Sequence, residues 1–312
     1  MKRSIQQGRR CLSVSVLMIC AQQAGAGDWT AESEFRASDA DSRSLIVSVD
    51  RTVGEQGLAF VSLGETWING SETDLDTRRQ SVGGLYRFDN DWRLTGFYER
   101  WGRRGDIVSD RVGASLARDY ETVGFSLTGG WRGITLKAGA PVRSDDDEDN
   151  GGPPSFVPVN PGDEDEPEAG DTIAEDYEMS AINVGARVRY RPTAQWTLAG
   201  GYSYYSYDRD PRQLAAVDQL ERFSTSSVTL AQGFLERSLH VETRHDLGDY
   251  RELAVYLSRD RSAVDGRDAD SLIVSYIQPL SPAWDLRLEV GRTQTEDFDP
   301  SHVLGVGLTW FP

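Results

Sequence analysis

Apolar and polar residues alternate along much of the chain, in short segments that are separated by turn-forming residues. In the segment 284–291 four apolar residues alternate with charged ones, and the segments 181–191 and 239–244 have the same pattern. Successive side chains of a β-strand point to opposite faces, so each segment predicts a strand with one apolar face and one charged face. We find no convincing long amphipathic helix, and the pattern therefore predicts an all-β protein.

Short and long connections alternate between these predicted strands. Turn-forming residues predict six tight connections, at 53–57, 89–91, 129–133, 192–195, 247–249 and 280–283. Seven longer polar connections fall between them, near 38–43, 68–78, 101–119, 143–178, 208–225, 260–270 and 293–301. This alternation predicts 14 antiparallel strands. A count of 12 to 16 stays open because 208–245 can be divided in more than one way; we interpret 223–245 as one strand with a bulge at Gly233.

The last segment of the sequence alternates to its final residues. Its apolar face and aromatic end are formed by Leu304, Val306, Leu308, Trp310 and Phe311. This pattern resembles the C-terminal strand of Gram-negative outer-membrane β-barrel proteins of the porin-like type. The resemblance implies a transmembrane antiparallel up-and-down β-barrel, closed against a first strand near Trp29, whose last strand is recognised by the barrel assembly machinery. On the other face, Gly305 and Gly307 predict a thin, uncharged part of the wall.

Aromatic residues lie beside several of the predicted tight connections. They are Trp92, Trp131, Trp196, Tyr250 and Trp284. This placement is typical of an aromatic girdle at one membrane interface, with short turns on the periplasmic side and long loops outside.

The first 26 residues have the pattern of a secretory signal peptide. Four cationic residues precede an apolar run of about 11 residues, which is too short for a helix to span roughly 30 Å of hydrocarbon. Cleavage is expected after Ala26, which leaves residues 27–312 as one domain exported to the bacterial outer membrane. Both cysteines, Cys11 and Cys20, lie in the signal, so the mature chain should contain no disulfide.

The charge of the chain is strongly acidic and unevenly spread. The formal net charge is −17, and loss of the four signal cations would make it −21, which argues against nucleic acid as a partner. Fourteen carboxylates and no Lys or Arg fall between 144 and 178, in a predicted surface loop near 143–178. This loop could be a solvated segment, could fold into the mouth, or could bind divalent cations weakly. The candidate cation-binding residues are Asp145, Asp146, Asp147, Glu148, Asp149, Asp163, Glu164, Asp165 and Glu166.

The charged faces of the strands supply the candidate functional residues. If the apolar face meets lipid, the charged face lines the lumen. Arginine stays charged and forms forked bonds to carboxylates, so these residues predict a transverse field across a water-filled pore; the alternative is a set of ion pairs that fills a closed lumen. The predicted pore-lining residues are Arg87, Arg93, Glu99, Arg187, Arg189, Arg191, Glu242, Arg244, Asp285, Arg287 and Glu289.

The leading hypothesis is therefore a porin-like channel for passive diffusion of small hydrophilic solutes. The alternative is a non-conducting surface barrel whose loops bind a partner or stabilise the envelope. Outer-membrane lipids, lipopolysaccharide, the barrel assembly machinery and small polar solutes are the expected partners, and no cofactor or dedicated metal site is expected. Catalysis is not expected, because Ser238 and His240 share the charged face, whereas outer-membrane phospholipases place such residues toward lipid. His245 and Asp246 lie beside a predicted turn.

Overall fold

The computed structural model describes residues 29–39, 42–68, 75–103, 107–136, 176–211 and 234–312. These residues form fourteen strands: β1 (Trp29–Ser38), β2 (Ser42–Val53), β3 (Gly57–Ile68), β4 (Leu75–Arg87), β5 (Trp92–Arg103), β6 (Ile107–Asp119), β7 (Val123–Leu136), β8 (Tyr177–Tyr190), β9 (Trp196–Tyr207), β10 (Leu235–Gly248), β11 (Arg251–Ser262), β12 (Asp268–Ser281), β13 (Trp284–Thr295) and β14 (Ser301–Trp310). Within these ranges, no helix is long and apolar enough to cross a membrane. The predicted signal peptide lies outside the described residues.

The strands form one closed antiparallel barrel in which each strand pairs with its neighbours in sequence. Closure occurs between β1 and β14, where Ala31 lies opposite Trp310 and Phe35 lies opposite Val306. A closed sheet has no edge, so every backbone N–H and C=O of the wall can find a partner without water. The predicted antiparallel up-and-down barrel and its count of 14 strands are confirmed.

The two faces of the wall differ as the alternation predicts. On β14, Leu304 is 65% exposed whereas its neighbour Val303 is 8% exposed. The register places Leu304 beside Val290 of β13 and Ala37 of β1, so apolar side chains form rows around the outside of the barrel. An exposed apolar belt of this kind is stabilised by lipid. We call positions on this side outward and the alternate positions inward.

The barrel has a turn end and a loop end. Six short connections lie at the turn end, at 54–56, 88–91, 120–122, 191–195, 249–250 and 282–283. Aromatic side chains gather there: Trp92 packs edge-to-face on Phe125 at 5.6 Å between ring centroids, and Trp284 lies 6.4 Å from Trp310. This arrangement fits a membrane-interface girdle.

Two predicted connections are wrong. The segment 101–119 is not a loop, because β5 continues to Arg103 and β6 occupies Ile107–Asp119. The segment 129–133 is not a turn, because it lies inside β7. The actual turn, 120–122, contains no glycine or proline, so it gives a weak sequence signal. The turn between β6 and β7 thus lies at 120–122 instead of 129–133, and β5 and β6 remain separate strands, so the strand count is unchanged.

The glycines that suggested a turn in β7 serve side-chain packing instead. A Cβ at Gly130 would lie 2.6 Å from Asn183 Oδ1 of β8, and a Cβ at Gly133 would lie 2.5 Å from the Trp131 ring. Trp131 itself points outward in the middle of the strand and is 47% exposed. It therefore lies away from the turn where the sequence placed it. Glycine in a strand interior commonly marks such a close approach.

The region 223–245 contains a single strand in its described part. β10 begins at Leu235, shifts register between Leu235 and Arg237, and ends at Gly248. The prediction of one strand is confirmed from Leu235 onward, while the predicted bulge at Gly233 lies outside the described residues. The acidic loop predicted near 143–178 lies outside them as well, except for Asp176 to Glu178, of which the last two residues begin β8.

Candidate functional site

Most residues predicted to line a pore occupy inward positions of the strands. They are Arg87, Arg93, Glu99, Arg187, Arg189, Glu242, Arg244, Asp285, Arg287 and Glu289. Arg191 differs, because it lies in the turn after β8, where its backbone N–H donates to the Thr122 carbonyl at 2.7 Å. That these residues line an open channel stays a prediction.

Inward charges are segregated around the barrel. The five consecutive strands β4 to β8 carry mainly inward arginines, and we call this side the basic arc. Its arginines are Arg79, Arg87, Arg93, Arg111, Arg132, Arg187 and Arg189, and its acids are Glu99 and Asp119. Among the described side chains of these strands, seven inward cations thus outnumber two inward carboxylates.

The opposite side carries mainly carboxylates, and we call it the acidic arc. It runs from β10 through β14 to β1 and β2, which are continuous because β14 pairs with β1. Its acids are Glu32, Glu34, Asp50, Glu242, Asp246, Glu252, Asp260, Asp285 and Glu289, and its arginines are Arg36, Arg244 and Arg287. Nine described carboxylates therefore outnumber three arginines on this side of the interior.

Glycines of β14 allow ion pairs to cross from β13 to β1. Arg36 Nε donates to Glu289 Oε2 at 3.0 Å, and a Cβ at Gly305 would lie 3.0 Å from that same oxygen. Arg287 Nη1 lies 2.9 Å from Glu32 Oε1 across the next inward glycine. The prediction of an uncharged wall at β14 is wrong, because charged side chains from both neighbours cover its small residues.

The same construction occurs at β7 and β9. Asp119 of β6 pairs with Arg189 of β8, and a Cβ at the intervening Gly124 would overlap the Asp119 carboxylate. Arg187 of β8 pairs with Glu242 of β10 across β9, which presents only small residues at this level. Each pair extends along the wall between strands that are not neighbours, and it fixes both charges close to the wall.

The middle of the basic arc keeps a guanidinium without a carboxylate partner among the described residues. Glu99 is 6% exposed and accepts a hydrogen bond from Arg79 Nε at 2.7 Å. Arg111 lies opposite Glu99 in the register, but its guanidinium stacks over the Phe97 ring at 5.1 Å. Its Nε has no hydrogen-bond partner in this part of the chain. The basic arc therefore retains positive charge that local pairing does not cancel.

Sequence reasoning missed several charged residues of the interior. Arg111 and Arg132 fall in segments that were interpreted as a loop and a turn, and Arg79 follows another predicted loop. The signal was present in 107–119, where apolar residues at 112, 114 and 116 alternate with Arg111 and the small residues after it. On β1 the alternation was hidden, because its outward face includes the polar Ser33.

An apolar cluster occupies part of the interior at the loop end. Ile107 and Val264 are each 1% exposed within it. We call it the outer apolar cluster; it comprises Trp101, Ile107, Ile134, Met179, Phe234, Ala263 and Val264, with Tyr177 and Tyr207 packed against it. Its members come from β5 to β8 and from segments next to β10 and β11, so it joins parts of the wall that are not adjacent. The sequence did not predict this cluster.

The inward Ser238 and His240 lie among charged and polar groups. Ser238 is opposite Asp260 in the register, and His240 stacks with Tyr256 at 5.9 Å between ring centroids. Both residues thus share the inward face with Glu242, as the alternation predicts.

His245 and Asp246 lie on opposite faces at the turn end. His245 stacks on Trp196 at 4.2 Å, whereas Asp246 accepts a hydrogen bond from the Gly248 N–H at 2.8 Å. Across the described ranges, no group of three or more His, Cys, Asp or Glu is arranged to hold a metal ion. The carboxylates predicted to bind divalent cations, 145–149 and 163–166, lie outside those ranges.

Comparison with known proteins gives matches in structure only. No protein-family model matches the chain, and no curated protein matches it in sequence. The CymD monoaromatic hydrocarbon channel is similar at a TM-score of 0.50 and 9% identity, covering 93% of this chain and 90% of that one. OmpT folded in vitro, an outer membrane protein of Vibrio cholerae, is similar at 0.46 and 9%, covering 91% and 96%. The KdgM porin in complex with disordered oligogalacturonate is similar at 0.40 and 11%, covering 90% and 98%.

These similarities concern the course of the backbone. At 9% identity, the match to CymD shows a shared barrel fold over nearly the whole of both chains. The chain therefore has the fold of porin-like bacterial outer-membrane β-barrels, as its terminal strand led us to expect. The solute and the activity have to be argued from the residues of this chain.

Proposed function

We propose that this protein is an outer-membrane channel for passive diffusion of small hydrophilic solutes. The observation that carries the proposal is the segregation of inward charge into a basic arc and an acidic arc. A barrel that served only as a scaffold could pair opposite charges on neighbouring strands throughout. Arcs of opposite sign instead create a field across the lumen.

The ion pairs between non-adjacent strands support an open axis. Arg36 with Glu289 and Arg187 with Glu242 run along the wall, across strands that present small inward residues. Their charges are therefore restrained at the wall, which leaves the centre of a 14-stranded barrel to water and solute.

The two arcs also indicate the class of solute. The excess of arginine on one side nearly equals the excess of carboxylate on the other, so the described interior is close to neutral overall. Such an interior should discriminate weakly between cations and anions, and it should favour solutes that carry a dipole or charges of both signs. The outer apolar cluster narrows the loop end and restricts passage to small molecules.

Recording from the purified protein in planar lipid bilayers tests the proposal. We expect discrete conductance steps in salt solution and a small reversal potential in a salt gradient. A variant in which Arg93, Arg111 and Arg187 are all replaced with Gln should have a reversal potential shifted toward cation selectivity, because the basic arc loses charge while the acidic arc keeps it.

A matched control separates this effect from a general loss of charge. Replacing the outward residues Arg43, Arg78 and Arg100 with Gln removes the same charge from the other face of the wall. We expect no change of reversal potential in this variant. Folded protein that shows no conductance, or a control that shifts selectivity as strongly, would contradict the proposed channel.

A further inference from the structure

The outer wall carries a cleft at β10 to β13. Its volume is about 370 Å³, and eight of its eleven lining residues occupy outward positions. Leu239, Val241, Leu257 and Leu272 give it an apolar floor on three adjacent strands. The cleft is within the size range of small-molecule sites, but it opens on the side of the barrel that faces lipid.

Charged side chains border the cleft on the side toward the loop end. Arg259 of β11 and Arg292 of β13 both line it, two strands and thus about 10 Å apart. Leu257, Leu272 and Arg292 follow one another in the register, so the apolar floor passes directly into the charged border.

The border has a positive balance. Arg259 pairs with Asp268 at 2.9 Å, and Asp270 lies at 3.8 Å, so its charge is partly compensated. Arg292 is exposed and forms no ion pair with any residue that the structure describes. Arg237 is the next outward residue of β10 beyond Leu239, on the side toward the loop end. It also has no ion pair within the described ranges. Guanidinium groups in this arrangement suit a phosphate, which they bind through forked, charge-assisted hydrogen bonds.

We propose that this cleft binds a phosphate-bearing membrane lipid, with an acyl chain on the leucine floor and the phosphate at Arg259 and Arg292. The apolar floor and the cationic border lie in the order in which a lipid presents its chain and its headgroup along the wall. A soluble anion would use the arginines but leave the floor empty. The inference rests on the proposed membrane location and not on conduction, so a variant can lose the lipid and still conduct.

Native mass spectrometry of the purified protein with diphosphoryl lipid A tests the site. Replacing Arg259 and Arg292 with Gln should weaken binding about tenfold or more, since each removes charge-assisted bonds to phosphate. Replacing Leu272 with Trp should weaken binding similarly by filling the floor, while it leaves both arginines in place. The control is the replacement of Arg43 and Arg100, outward arginines of β2 and β5, with Gln.

Three further measurements make the outcome decisive. Dephosphorylated lipid A should bind weakly to the unmodified protein, and millimolar inorganic phosphate should not displace the lipid. The variants should keep the heat-dependent gel mobility of the unmodified barrel, which shows that they are folded. Equal affinity of the variants and the unmodified protein, equal loss in the control, or displacement by inorganic phosphate alone would each overturn the proposal, whether or not the protein conducts.

Discussion

At the scale of single residues, inward glycines determine which charges can meet. Gly305 and Gly124 each lie between two strands whose side chains bridge over them, and a Cβ at either position would meet a carboxylate of the bridge. Glycine is used here because of space, since no unusual backbone angle is involved. The ion pairs that cross the wall therefore depend on the inward glycines beneath them.

Replacing Gly305 with Val should destabilise the barrel by about 1–3 kcal/mol, because the new side chain overpacks the Arg36–Glu289 bridge. The measurement is the urea midpoint, that is, the urea concentration at which half of the protein still migrates as the folded barrel on a gel. Gly129 is the matched control: it is an outward glycine of β7 with no atom within 4 Å of an added Cβ. Valine there should be neutral or stabilising. Equal loss at both positions would mean that strand propensity, not the bridge, sets the effect.

A second residue-scale prediction concerns pH. The backbone N–H of His302 donates to Asp39 Oδ1 at 2.6 Å and its ring Nδ1 lies 2.7 Å from Oδ2, which together hold the pKa of Asp39 below its ordinary value. A lowered pKa stabilises the fold above the unfolded value of about 3.9, and this contribution is lost as pH falls through the lower folded pKa.

Replacing Asp39 with Asn should thus lower the urea midpoint at pH 7, and the difference between the two proteins should shrink as pH falls from about 3.9 through the lower folded pKa. A difference between the two proteins that stays constant down to acid pH would show that Asp39 acts through packing rather than through its charge.

At the scale of the elements, the alternation of apolar and polar residues was a reliable signal for strands, whereas residue composition was not a reliable signal for turns. The strands whose outward face is apolar over most of its length, such as β13 and β14, were predictable because lipid requires that face. The segment 129–133 was misjudged because a single sequence cannot show that Gly130 and Gly133 make room for Asn183 and Trp131. Likewise, nothing in local sequence indicates that residues near β5 and β11 meet in the outer apolar cluster, because those contacts depend on the closed barrel.

The corrected position of the β6–β7 turn can be tested by insertion. Six polar residues inserted after Glu121 should leave folding intact, because that position lies in the turn between Asp119 and Val123. The same insertion after Gly130 should abolish folding, because it breaks the pairing of β7 with β6 and β8. The readout is heat-dependent gel mobility, and tolerance at Gly130 together with failure at Glu121 would restore the turn that the sequence suggested.

At the scale of the whole molecule, the outer apolar cluster should limit conduction. Apolar constrictions resist wetting, so polar side chains in the cluster should increase ion flow. Replacing Val264 with Ser should raise single-channel conductance, since Val264 is 1% exposed within the cluster. The control is Val241 to Ser, which changes an outward residue of β10 by the same atoms. A conductance that rises equally in both variants, or in neither, would place the limiting constriction elsewhere.

The field across the lumen should depend on ionic strength. Screening over about 10 Å at 0.1 M salt and about 3 Å at 1 M shortens the reach of wall charges toward the axis. The selectivity change produced by neutralising the basic arc should therefore shrink as salt rises, in reversal potentials measured at a fixed concentration ratio. A change that persists undiminished at 1 M would indicate direct contact between the ion and the arginines.

The bridge over β14 has a consequence for how the chain folds. Arg36 and Glu289 are 253 positions apart in sequence, so their bond closes a loop that contains nearly the whole domain, and the entropy cost of this closure precedes the gain from the contact. Contacts of such high sequence separation form late. The β1–β14 junction should therefore be the last part of the wall to assemble and the first to separate when the barrel unfolds. Electrostatic attraction across the junction adds to its backbone pairing, so the strength with which the barrel is held closed there should fall as the surrounding salt concentration rises.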